Sequence, residues 1–304
     1  MGKPEVSIII VNYNVEAFLL KCLFSIFNTK GKLDVEVIVV DNASDDNSVD
    51  LIRNKFPQVI ILENKINIGF PAANNQALQI AKGEFIFLLN PDTELIEDSI
   101  SVLKVFLESS DEVDIAAPQL LNSDGSVQDS IFRFPRLRYI VAEMLYMESL
   151  TKSKYYPDKN FKKCFEVNSA SGAALFFRKK LIDKIGQLNE KLFWIEDIDF
   201  CFRTVKSGGK VYYVPLTRII HYSGQSAKKN YNISISSQVI NKIKFYKVHG
   251  NTLELFLVYF ISLINVLVRF IFFSILSPFK RIYSLKMSAY MYTLPRIFTA
   301  TKGL

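Results

Sequence analysis

Four short apolar runs shape the first third of this chain: VSIIIV at 6–11, VEVIVV at 35–40, VIIL at 59–62 and EFIFLL at 84–89. A strand with one wet face alternates apolar and polar residues. A near-continuous run of Val, Ile, Leu and Phe belongs to a strand covered on both faces. Segments with helical spacing separate the runs. Asn14 is placed to cap a helix reaching about Asn28, with Leu19, Cys22, Leu23, Ile26 and Phe27 on one face. Asn47 or Ser48 opens a short helix that ends before Pro57. Ala72 to Ala81 forms another, with Gly83 as its stop. Strands alternating with helices predict an α/β fold with a mostly parallel, doubly wound sheet.

Ligands of such sheets bind at the carboxyl ends of the strands. The segments that succeed the four runs are therefore informative: NYN, DNASDD, ENKINIGF and NPDTE. Each alone is an ordinary turn, because Asn and Asp are common turn residues. Four on one edge favour a nucleotide and metal site. The first strand is not followed by GxGxxG, which argues against a dinucleotide dehydrogenase, and the chain has no GxxxxGK[ST] of a P-loop. Without a glycine-rich cradle, a bound diphosphate needs a divalent cation held by carboxylate, and hard oxygen ligands suit Mg²⁺ or Mn²⁺.

The three cysteines, Cys22, Cys164 and Cys201, lie far apart with no CxxC pair, which fits a reducing compartment. The N-terminus lacks the apolar stretch and cleavage site of a signal peptide and reads as the first strand of a cytoplasmic domain. Of the net charge of +7, the stretch 242–304 carries nine Lys/Arg against one acid, Glu254. That stretch is also the most apolar of the chain, so its expected partner is an anionic membrane surface and not nucleic acid.

In order along the chain, VSIIIVNYN, VIVVDNASDD, NIGFPAANNQ, LLNPDTE, SGAALFFRKKLIDKIGQLNEKLFWIEDIDFCFR and HYSGQS resemble the family 2 glycosyltransferases of GT-A fold. The nearest group is the bacterial rhamnosyltransferase-like enzymes of surface-polysaccharide assembly, O-antigen among them. The resemblance covers roughly residues 4–250. It implies a nucleotide-binding half at about 1–120, an acceptor-side half at about 121–250 and an appended tail at 251–304. It also implies an inverting transfer from a nucleotide-diphosphate sugar, dTDP-rhamnose or a UDP-sugar, to a glycan or lipid-linked acceptor.

Residue by residue, Asp92 matches the last acid of the family's DxD-type metal motif. Asn90 stands where many relatives have the first acid, a departure that leaves a carbonyl oxygen but no charge. Asp41 is similar to the acid that accepts a hydrogen bond from the base, and Asn12 would line the same pocket. Asn67 and Gly69 fall in the donor-side NIGF segment, where glycine permits close backbone approach. Asp197 takes the place of the catalytic base, with Glu196 beside it. Trp194 is placed to pack under an acceptor sugar, and His221 to complete the metal site. Each has a plainer alternative: Asp92 as a helix cap or turn, Asp197 as part of an acidic helix start, Trp194 as core, and His221 as a hydrogen-bonded strand end. Asp199 and Arg203, four apart, read as a helix ion pair.

Two other classes compete. A sugar-phosphate nucleotidyltransferase would carry a glycine-rich loop after the first strand. A non-catalytic scaffold of the same fold would be expected to lack Asp92 or Asp197. Residues 131–163 interleave aromatic and basic side chains, either as a solvated excursion or as a lid on the acceptor side. From Leu253 to Leu276 the chain is long and apolar enough to span a bilayer, which needs about 20 residues. Arg269 lies inside that stretch, and bases flank both ends. The expectation is a peripheral or monotopic attachment to the cytoplasmic face of the bacterial inner membrane. The alternative packs these helices on the catalytic part or on a second subunit.

Overall fold

The computed structural model describes residues 2–145, 162–192, 194–222 and 231–302. It contains two compact units. One comprises residues 1–134 and 158–223, the other 135–157 and 224–304.

The first unit is built on a nine-stranded sheet in the order β3-β2-β1-β4-β10-β6-β11-β5, with β8 also paired to β11. Its strands are β1 (Val6–Asn12), β2 (Val35–Asp41), β3 (Ile60–Glu63), β4 (Phe85–Leu89), β5 (Thr93–Leu95), β6 (Val113–Leu121), β8 (Phe165–Val167), β10 (Ala174–Arg178) and β11 (Lys210–His221). A small ribbon pairs β7 (Ile131–Phe132) with β9 (Ser169–Ala170). Strands β1 to β4 are mutually parallel. Every residue of β1 and β4 is buried, which is why neither shows a polar alternation.

The second half departs from simple winding. β10 inserts antiparallel between β4 and β6, and β11 then runs parallel to β6. Helices α1 (Glu16–Thr29), α2 (Ser48–Lys55), α3 (Phe70–Ile80), α4 (Ser99–Glu108), α6 (Lys180–Ile185) and α7 (Glu196–Lys206) belong to this unit.

Three local expectations are corrected. Asn14 does not cap α1. It adopts the left-handed conformation (φ 55°), and its Oδ1 accepts from the Asp45 amide at 2.7 Å, tying the β1 end to the β2 end. α3 begins at Phe70, ahead of Ala72, because Pro71 sits comfortably in a first turn where its missing N–H is not needed. Gly83 is not the stop of α3, which ends at Ile80. A Cβ on Gly83 would press on the Val6–Ser7 backbone, so this glycine lets the chain cross close to β1.

The second unit contains α5 (Leu137–Met144), α8 (Tyr231–His249), α9 (Thr252–Leu276) and α10 (Arg281–Ile297). α9 starts on a capping box formed by Asn251 and Glu254. It is the one described helix long and apolar enough to cross a membrane. Leu253, Phe256, Leu257, Phe260, Val268, Ile271, Phe272 and Ile275 are exposed along it, at spacings that keep them on one side. Arg269 turns the other way. Its guanidinium donates to the Tyr290 hydroxyl and to the Glu143 carbonyl, both at 3.2 Å, while Glu143 pairs with Lys242. The charge inside the apolar stretch is thus absorbed by the unit's own polar seam.

Candidate active site

Three polar clusters form where the sheet's strands end. The first joins β1 and β2. Asn12 and Asp41 are register partners, and Asn12 Nδ2 donates to Asp41 Oδ1 at 2.7 Å and to Ser44 Oγ at 3.0 Å. The other Asp41 oxygen accepts from the Ser44 amide at 2.9 Å. Both side chains are almost fully buried, and among the described residues Asn12 Oδ1 has no hydrogen-bond partner.

Beside this pair, Asn42 bonds to Asn67 Oδ1 at 3.1 Å and accepts from Asn64 at 3.0 Å. Asn67 Oδ1 also accepts from the Gly69 amide at 3.0 Å, so Asn67 shapes the loop that leads into α3. Gly69 has φ 89° and ψ 157°, a region almost confined to glycine, with open space where a Cβ would stand.

The second cluster forms at the Asn-Pro-Asp turn. β5 comes immediately after it and pairs antiparallel with the end of β11, setting Thr93 opposite His221. His221 Nε2 consequently lies 3.3 Å from Asp92 Oδ1 and 3.4 Å from Asn90 Nδ2. Asp92 caps no helix: that role at α4 belongs to Asp98, whose Oδ1 accepts from the Ser101 amide at 3.2 Å. On the far side of the ring, His221 Nδ1 meets Gln128 Oε1 at 2.7 Å.

The third cluster opens α7. Asp197 Oδ2 accepts from the Gly172 amide at 2.8 Å, and its Oδ1 from the Ile198 amide at 2.7 Å. A Cβ on Gly172 would come within 3.2 Å of Asp197 Cβ, a tight contact. The next residue, Ala173, accepts from the Asn90 amide at 2.9 Å. Two consecutive residues, Gly172 and Ala173, therefore connect the Asp197 carboxylate to the end of β4.

Burial raises Asp197, opposed by those two amides. Glu196 is pushed up to about 8, by burial first and by the Asp197 charge second. Its Oε2 is buried with no hydrogen-bond partner among the described residues. Asp199 and Arg203 form the expected ion pair at 2.8 Å, and the same guanidinium ties down the carbonyls of Ile185 and Gln187. Trp194 is 40% exposed and left-handed (φ 74°), a rare state for a bulky residue.

The structure thus groups Asn12 with Asp41, Asn67 with Gly69, and Asn90 with Asp92 and His221, and it links Asp197 to the last group through Gly172 and Ala173. Sequence reasoning missed Ser44, Gly172 and Gln128. Gln128 stands three residues after the Asp-Gly turn at 124–125, a hairpin signal that went unread. Of HYSGQS only His221 and Tyr222 are described, and residues 146–161, the middle of the 131–163 segment read as a lid, lie outside the described residues.

Among the described residues no three His, Cys, Asp or Glu side chains cluster as a complete metal cage. Asp92 and His221, 3.3 Å apart, could supply two ligands to a cation that takes its remaining ligands from elsewhere, as Mg²⁺ typically does.

Comparison with known proteins agrees with this architecture. A mannosyltransferase of Pyrobaculum calidifontis, solved with GDP-Man and Mn²⁺, superposes with a TM-score of 0.59 at 15% identity, covering 99% of this chain and 89% of that one. GalNAc-T7, solved with UDP, GalNAc and Mn²⁺, gives 0.57 at 14% identity, over 81% of this chain and 51% of that one. The N-acetylglucosaminyl-diphospho-decaprenol L-rhamnosyltransferase of Mycobacterium tuberculosis is 23% identical over 64% of this chain and 69% of its own length. The poly(ribitol-phosphate) beta-glucosyltransferase of Bacillus spizizenii is 40% identical, but only over 29% of this chain and 15% of its own length. The family model for glycosyl transferase family 2 matches residues 7–186, more than half of the sequence. This chain belongs to glycosyl transferase family 2 and is a glycosyltransferase of GT-A fold.

Proposed function

We propose that the enzyme is an inverting glycosyltransferase of bacterial surface-polysaccharide assembly. It moves one sugar from a nucleotide-diphosphate donor, dTDP-rhamnose or a UDP-sugar, to a glycan or lipid-linked acceptor. The observation that carries this reading is the short link from Asp197 through Gly172 and Ala173 to Asn90. It brings the candidate base and the candidate diphosphate end of the sheet together.

In this reading Asp41 accepts a hydrogen bond from the base, held in place by Asn12 and Ser44. Gly69 lets the backbone approach the donor. Asp92 and His221, with the Asn90 side-chain amide turned to offer its oxygen, would hold a divalent cation, Mg²⁺ or Mn²⁺, which would supply positive charge against the leaving diphosphate. Asp197 takes the proton from the acceptor hydroxyl as it attacks the anomeric carbon. Burial favours that step, because a raised carboxyl is a stronger base. Glu196, raised by burial and by the Asp197 charge, disfavours a second negative charge at the pair. Trp194 offers an exposed ring to an acceptor sugar.

Support for a lipid-linked acceptor comes from the name of the mycobacterial relative and from the exposed apolar side of α9. With the flanking bases, that side suits the cytoplasmic face of a membrane.

Unfolding of the purified protein with nucleoside diphosphates and nucleotide sugars, with and without Mn²⁺ or Mg²⁺, tests the reading. A binding nucleotide raises stability by ~2.7 kcal/mol at a hundredfold excess over its Kd. A metal-dependent shift with UDP or dTDP compounds that Asp92→Ala abolishes is expected, and no shift with any nucleotide would overturn it. Asp197→Asn should keep donor binding while losing about 10²–10⁴-fold in transfer rate. Unchanged turnover in that variant would remove Asp197 from the base role.

A further inference from the structure

The hairpin between β6 and β7 ends in a directed chain of hydrogen bonds that leads to His221. It starts at the Asp124 carboxylate, which only accepts when ionised. The Ser126 hydroxyl must therefore donate to Asp124 Oδ1, at 2.6 Å. Ser126 Oγ in turn accepts from Asn122 Nδ2 at 2.9 Å. That orients the Asn122 amide, and Asn122 Oδ1 accepts from Gln128 Nε2 at 2.9 Å. The same Gln128 nitrogen donates to the His221 carbonyl at 3.2 Å. Gln128 Oε1 must then face the ring, and His221 Nδ1, 2.7 Å away, has to carry the proton.

A neutral histidine protonated at Nδ1 has its lone pair at Nε2. Here that lone pair lies 3.3 Å from Asp92 Oδ1. Two acceptors this close repel one another, the Asn90 Nδ2–H at 3.4 Å from Nε2 compensates only weakly, and a cation between them would relieve the repulsion. The hairpin thus presents the ring in the tautomer that a cation requires.

We infer that Gln128 is a positioning residue: it fixes the tautomer and orientation of His221 so that Nε2 and Asp92 together receive a divalent cation. This rests on the reading of Asp92 and His221 as metal ligands. Partners on the remote nitrogen of a ligating histidine tune metal affinity by about 10–100-fold in other sites. The Asp124-Gly125 spacing marks the hairpin but not the role of Gln128, because the chain of bonds exists only once the hairpin folds against the end of β11.

The chain has only two histidines, His221 and His249, so ¹⁵N-histidine NMR reads the tautomer directly, with His249→Gln giving the assignment. Spectra are taken without metal, above the ordinary histidine titration range. The probe of the cation site is Mn²⁺ itself, followed by the loss of the free-ion EPR signal. The expected wild-type ring is protonated at Nδ1. Gln128→Ala should shift it toward Nε2–H and weaken Mn²⁺ about tenfold or more. Gln128→Glu, which keeps an acceptor on Nδ1, should retain the tautomer and most of the affinity.

A wild-type ring protonated at Nε2, alone or on both nitrogens, overturns the inference. So does a tautomer or an Mn²⁺ affinity indifferent to Gln128→Ala. If wild type, His221→Ala and Asp92→Ala all bind Mn²⁺ equally or not at all, the metal reading itself falls, and with it any role of Gln128 toward a cation. The NMR result separates that failure from failure of the hydrogen-bond chain.

Discussion

Asn12 and Asp41 face each other in register across β1 and β2, joined by one hydrogen bond of 2.7 Å and both buried. The pair is costly to leave incomplete, since a buried polar group without its partner loses about 1–3 kcal/mol. Asn12→Ala should therefore lower unfolding stability by that order and weaken nucleotide binding as well, because Asp41 loses the donor that aims it. Asp41→Asn should bind nucleotide less well with a smaller stability loss. Calorimetric titration with UDP or dTDP, beside denaturant unfolding, separates the two effects. A normal nucleotide Kd in a folded Asp41→Asn protein would end the base-recognition role.

Glu196 makes stability depend on pH. In the unfolded chain it titrates near ~4.3, whereas in the fold burial and the Asp197 charge push it up to about 8. A carboxyl raised on folding contributes stability that is complete below its unfolded value. That contribution is lost as pH climbs through its folded value. Wild type should thus lose stability relative to Glu196→Gln as pH rises from about 4.3 to about 8, then run parallel to it. Asp197 shifts the same way and shares the slope, and Glu196→Gln also relieves it of a neighbouring charge. A difference between the two proteins that stays constant with pH would contradict the buried, strained pair.

Gly83 is a packing glycine. Its Cβ position is already filled by the Val6–Ser7 backbone, while the Gly83 amide donates to Ser7 Oγ at 2.7 Å. Gly83→Ala must push the segment before β4 away from β1, and overpacking of this kind costs typically about 1–3 kcal/mol. Denaturant unfolding should show the loss, with nucleotide affinity little changed. A neutral substitution would mean that the crossing has room to spare.

The second unit predicts salt-dependent binding to anionic vesicles. Lys280 and Arg281 are exposed at the end of α9, beside the exposed Phe279. Replacing both with Gln should weaken flotation with phosphatidylserine vesicles by ~2 kcal/mol, taking ~1 kcal/mol per basic residue near the surface. Replacing Phe256 and Phe260 with Glu should weaken it at every salt concentration. Equal flotation with neutral and anionic vesicles would remove the electrostatic part. No flotation at all would leave the exposed side of α9 to another protein.

Much of the site was readable before folding because it is local. An apolar run that stops on Asn or Asp names its own strand and its own end, so Asn12, Asp41, Asn90 and Asp92 came from adjacent letters. Other assignments failed where the deciding contact is remote. Asn14 looked like a cap, yet Asp45 holds it in a left-handed turn. Gly83 looked like a helix stop, yet β1 sets its requirement.

The sequence by itself determined the alternation of buried strands and helices, the polar strand ends and the acidic start of α7, since each is a pattern of neighbouring side chains. Only the tertiary structure decided that β10 enters antiparallel beside β4, that Gly172 and Ala173 carry Asp197 to Asn90, and that the Asp124-to-Gln128 hairpin orients His221. Those are pairings between segments 25 to 93 residues apart. They are set by which sheet edge and which buried hydrogen-bonding group remain unfilled when the rest has packed, and no short stretch of sequence encodes that.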